Sequence, residues 1–79
     1  MSDTLKDELR QIIVEVTEVE DIPEDTPFGD LGIDSMMAIE IVADVEKNYD
    51  IVIAEDELPD LINLKAVYDK VQQKLNEAS

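Results

Sequence analysis

Pro23, Pro27, Gly29 and Gly32 all fall between residues 22 and 34, and they divide the chain into two helical parts. No single helix or strand runs through such a stretch, because proline removes a backbone donor and glycine opens turns that other residues resist. On the N-terminal side Leu5, Leu9, Ile12, Ile13 and Val16 recur at helical spacing, with Lys6, Asp7, Glu8, Arg10, Gln11 and Glu15 between them. Ser2 or Thr4 is placed to cap this helix. The pattern fades near Glu18, and Pro23 bars its continuation. On the far side a second helix begins at Asp34 or Ser35 and runs to about Asn48. Ala38, Ile41, Val42, Val45 and Tyr49 form its apolar stripe and are expected to face the core. Met36, Glu40, Ala43 and Lys47 point the other way, with Met37 and Asp44 beside them and Ile39 at the border.

The break itself reads as a loop from Val19 to Asp34, and it is not fully polar. A loop of this length in so short a chain needs anchors, and Ile22, Phe28, Leu31 and Ile33 are available for that. Ile51-Val52-Ile53 is β-prone, but with no pairing partner elsewhere it reads as a loop that tucks Ile51 and Ile53 inward. Glu55 to Leu61 suits a short, acid-started helical turn whose length Pro59 limits. Asn63 then caps a last helix with Leu64, Val67, Tyr68, Val71 and Leu75 as its stripe and Lys65, Lys70 and Lys74 on its solvent face. The expected fold is all-α: a small four-helix bundle of three main helices and one short helix, with a long first loop, forming one domain over residues 1–79. The loop is long enough for the first two helices to lie antiparallel or nearly parallel.

Composition removes several functions. The chain has no cysteine and no histidine, so disulfides, thiolate metal sites and the commonest general base are absent. No apolar run exceeds four residues, too short to insert in a membrane, and the N-terminus lacks the pattern of a signal peptide. A cytoplasmic monomer is the reading that follows. Asp plus Glu total 21 against 6 Lys plus Arg, a net charge of -15. No basic residue stands between Arg10 and Lys47, where eleven acids fall, Glu40, Asp44 and Glu46 among them. Such a surface repels nucleic acid and anionic lipid and attracts basic protein patches. The acid clusters do not match a calcium loop, and Gly29-Asp30-Leu31-Gly32 is too sparse for a phosphate cradle.

Ser35 is the one position with a chemical argument. It stands where a glycine-bearing loop becomes a helix, so a phosphate ester on its hydroxyl would meet unpaired N–H groups and the positive end of the helix dipole. Alone, it reads more simply as a helix cap worth about 1 kcal/mol. Its neighbours alter the balance. Phe28-Gly29-Asp30-Leu31-Gly32-Ile33-Asp34-Ser35-Met36 resembles the attachment motif of the acyl carrier protein family, and the first helix, the loop, Tyr49-Asp50, Ile51-Val52-Ile53 and the final helix follow in family order. The resemblance implies that Ser35 receives 4′-phosphopantetheine from coenzyme A through a phosphopantetheinyl transferase. Asp34 would help hold the magnesium ion used in that transfer. The arm would carry acyl groups as thioesters, for fatty acid synthesis first and polyketide or other specialised synthesis next. The protein itself would not be an enzyme.

The resemblance also implies that Glu40, Asp44 and Glu46 meet basic docking patches on acyl-loading and acyl-processing enzymes. The wheel adds Met36 and Met37 to that surface. Met36 stands where many members have Leu, Met37 where members of fatty acid synthesis often carry an acid, and Lys47 interrupts the acids. Val42, Val45, Leu58 and Leu61 are the inward-facing residues expected to part for an acyl chain. The competing reading is a non-covalent acidic interaction module, in which Ser35 is only a cap.

Overall fold

The computed structural model describes residues 4–78. Its elements are α1 (Thr4–Thr17), the 3₁₀ turn η1 (Phe28–Leu31), α2 (Ser35–Tyr49), the 3₁₀ helix η2 (Glu55–Asp60) and α3 (Leu64–Ala78), with no strand among the described residues. The expected bundle of three main helices and one short helix is what forms. Thr4 is the first helical residue, and Ser2 lies outside the described residues.

One core holds the helices together. Leu9 and Ile13 of α1, Ile41, Val42 and Val45 of α2, and Leu64, Val67 and Val71 of α3 are buried in it. These are the residues that the 3.6-residue period selects. Tyr49, near the end of α2, donates its hydroxyl to Glu8 Oε1 at 2.7 Å near the start of α1. That contact links the last residue of α2 to the N-terminal half of α1, the pairing expected of antiparallel helices.

The long first loop is tied down along its length. Ile22, Phe28 and Ile33 are buried, and Leu31 packs against the core. Arg10 Nε donates to the Ile22 carbonyl at 3.1 Å, and Lys6 pairs with Glu24 at 3.1 Å. The Phe28 N–H bonds to the Ile62 carbonyl at 2.7 Å, joining this loop to the segment before α3. The turn η1 was not expected from sequence. It closes on Gly32, whose φ of 80° is the left-handed conformation that glycine adopts without penalty. The N–H groups of Gly32 and Ile33 then return to the carbonyls of Gly29 and Phe28.

Two lysines differ from expectation. Lys70 and Lys74 were placed on the open face of the last helix, yet both turn toward Glu57 of η2 at 3.1 Å and are about four-fifths covered. The cap assigned to Asn63 forms, its Oδ1 accepting the Ala66 N–H at 2.8 Å.

Candidate functional site

The start of α2 is built by Asp34. Its backbone is extended, and its Oδ1 accepts the N–H of Met37 at 2.9 Å, while the Ala38 N–H bonds to the Asp34 carbonyl at 3.0 Å. Asp34 is therefore the cap, and Ser35, assigned a possible capping role from sequence, is the first residue inside the helix. At that position the N–H groups of Ser35 and Met36 have no intrahelical acceptor. Ser35 is exposed, so its hydroxyl faces solvent where the helix dipole is positive. A phosphoester fits this corner: one reachable oxygen nucleophile, a favourable dipole and free backbone donors. Asp34 is also exposed, and its second carboxylate oxygen lies outside the cap bond.

Ser35 also lies on the rim of an apolar cavity of about 250 Å³. Ala38, Ile39, Ile41 and Val42 of α2 line one side. Leu58 and Pro59 of η2, with Leu61 just after it, line the other, and Phe28 and Val67 complete the lining. Three of the four residues assigned to an acyl pocket, Val42, Leu58 and Leu61, meet here. Val45 does not line the cavity: it is 1% exposed, one turn deeper, packed between helices as core. Phe28 and Val67 were missed as cavity residues because sequence spacing within one helix says nothing of which distant element closes the far wall.

The docking set divides. Met36 is 75% exposed, and Glu40 and Asp44 are exposed beside it. Ile39, placed at the border, is open as well. Met37 is different: it is half-buried and packs against the core, because it stands one turn before Ile41 on the inward side. Glu46 is half-buried too, and its Oε2 accepts the Ile53 N–H at 2.7 Å. Its carboxylate is used inside the molecule to hold the loop after α2.

A family model described as the phosphopantetheine attachment site matches residues 7–71. Acyl carrier protein 2 of a polyketide-8 synthase from Streptomyces avermitilis is 33% identical over 75 residues, covering 91% of this chain and 86% of that protein. An acyl carrier protein from Karelsulcia muelleri is 33% identical over 72 residues, covering 87% of each chain. Among solved structures, the acyl carrier protein of Thermotoga maritima superimposes with a TM-score of 0.84 at 25% identity over the whole of both chains. The hexanoyl carrier of the actinorhodin polyketide synthase of Streptomyces coelicolor does so with a TM-score of 0.82 at 28% identity over 92% of each.

The fold and site define a carrier rather than an enzyme. The chain belongs to the phosphopantetheine-attachment family, as an acyl carrier protein. Phosphopantetheine is the cofactor of that family, so the alternative of a cofactor-free acidic module falls away. Members work with synthase enzymes and with the transferase that modifies them. No helix among the described residues is long and apolar enough to cross a membrane.

Proposed function

We propose that this chain, as a single carrier domain, bears the 4′-phosphopantetheine arm on Ser35 and presents acyl thioesters to the enzymes of a polyketide-type pathway. The observation that carries this reading is the position of Ser35, exposed at the first turn of α2 and on the rim of the apolar cavity. When bound, the arm supplies a terminal thiol that holds the acyl group as a thioester. Ser35 Oγ provides the oxygen of the phosphoester. Asp34 fixes the helix start with one carboxylate oxygen and keeps the other toward solvent, where a magnesium ion of the transfer reaction would sit. Val42, Leu58 and Leu61 offer apolar contact to an acyl chain, each buried CH₂ being worth about 0.8 kcal/mol.

Met36, Glu40 and Asp44 form the docking face in this reading. Exposed carboxylates steer encounter with a basic partner, and the flexible methionine adapts to the contact that follows. The polyketide assignment is supported by the relatives from Streptomyces avermitilis and Streptomyces coelicolor, both carriers of polyketide synthases by name. Fatty acid synthesis, the pathway expected first, is the second reading, and the departure at Met37, where its members often carry an acid, weighs against it. The test loads the holo protein with a malonyl unit and offers it to a polyketide-type ketosynthase and to one of fatty acid synthesis. Faster elongation by the polyketide-type enzyme is expected. Preference for the fatty acid enzyme overturns the pathway assignment.

A further inference from the structure

The far wall of the cavity is a strap held at few points. Ile53, before η2, is bound by Glu46 at 2.7 Å, and Ile62, after it, is bound by Phe28 at 2.7 Å. Between them η2 contributes no fully buried side chain. Leu58 packs against the core, and the polar attachment of η2 to the body runs through Glu57, whose two carboxylate oxygens take Lys70 and Lys74 of α3, each at 3.1 Å. The same carboxylate accepts the Ala54 N–H at 2.8 Å, so it also holds the start of η2 in shape. In a chain with 6 basic residues and 21 acids, two of the cations converge on one carboxylate. These are also the most shielded ion pairs recorded among the described residues, all three side chains being about four-fifths covered.

The placement matters because of what lies next to it. Lys70 and Lys74 follow Val67 at i+3 and i+7, on the face of α3 that gives Val67 to the cavity. Leu58, Pro59 and Leu61 form the wall immediately after Glu57. With the clasp closed, only residues 58–61, held by the apolar contacts of Leu58 and Leu61, can yield between two anchors. With it open, the free span extends over residues 54–61, back to Ile53.

We propose that Glu57, clasped by Lys70 and Lys74, limits the length of acyl chain that the cavity admits. This rests on the reading of the cavity as the acyl site. A chain entering past Ser35 must displace the wall outward, and the clasp sets how far the wall travels before η2 itself has to detach. Glu57 is thus a specificity-determining residue that touches no acyl atom.

The test uses the full chain loaded through Ser35 with butyryl, octanoyl or dodecanoyl groups, as wild type and as Glu57→Gln. Melting temperature is read as the gain over the same unacylated holo protein, which removes any general loss of stability in the variant. Wild type is expected to gain with chain length and then level off, and Glu57→Gln to level off at a longer chain. In the unacylated proteins, amide exchange at Leu61 should quicken on the order of tenfold in Glu57→Gln, with Ile41 and Val45 unchanged. A plateau at the same length in both proteins, with the wild-type gain intact, overturns the role of Glu57 and leaves the cavity reading standing. No gain with any chain in either protein overturns the cavity reading and this proposal with it. Lys74→Gln keeps the pair with Lys70 and is expected to plateau in between. If Glu57→Gln does not fold, an unshifted plateau in Lys74→Gln overturns the proposal.

Discussion

The Asp34 carboxylate accepts the N–H of Met37 at 2.9 Å and in doing so releases Ser35 from any capping duty. The aspartate builds the helix end, and the serine beside it keeps a free hydroxyl at that end. The two adjacent polar residues therefore have separable effects. Asp34→Ala should cost about 1 kcal/mol of folding stability through loss of the cap. Ser35→Ala, an exposed change that leaves the cap in place, should stay within about 0.5 kcal/mol of wild type. Denaturant unfolding of the two variants checks the order, and a larger loss in Ser35→Ala than in Asp34→Ala would return the cap to Ser35.

Met36 and Met37 should part in the same assay. Met37→Asp puts a carboxylate against the core edge and should destabilise by roughly 1–3 kcal/mol. Met36→Asp changes a residue 75% exposed and should stay within about 0.5 kcal/mol, while slowing or redirecting partner enzymes.

The division between these methionines shows where the sequence was legible and where it was not. Helical period identified the buried faces of α1, α2 and α3, since Leu9, Ile41 and Val67 answer to one rule repeated along each helix. It also held the signal for Met37, which precedes Ile41 by four residues, though a stripe begun at Ala38 left it out. The Asp34-Ser35 pair was legible as a motif but not as a division of labour, because aspartate and serine both make good caps and only the backbone fixes which one does. Glu46, Glu57, Lys70 and Lys74 lay beyond sequence reading. Their partners come from other elements, so an amphipathic wheel shows them as ordinary solvated charges.

Tyr49 gives a titration that reports the α1–α2 contact. Burial, then the hydrogen bond and negative charge of Glu8, push its hydroxyl up from 10.0 to about 12. The folded state thus favours the protonated phenol. Its contribution to stability is fully present below pH 10 and is lost as pH rises through about 12. In a Tyr68→Phe background the tyrosinate absorbance comes from Tyr49 alone. Its midpoint should fall toward 10 when Glu8→Gln removes the charge, with the burial contribution remaining.

The net charge of -15 sets the response to salt. Self-repulsion among acids opposes compaction, and 0.1 M salt screens it over about 10 Å. Melting temperature should rise with added salt. A flat or falling melt would mean that local pairs such as Glu57 with Lys70 and Lys74 outweigh the general repulsion.

The attachment of the arm to Ser35 is tested most directly by intact mass. Wild type and Ser35→Ala are each incubated with coenzyme A, magnesium and a broad-specificity phosphopantetheinyl transferase. The account predicts one phosphopantetheinyl group on every wild-type chain and none on Ser35→Ala, with both proteins folded. A wild-type chain left unmodified across several transferases, or a Ser35→Ala chain modified as fully as wild type, would contradict it.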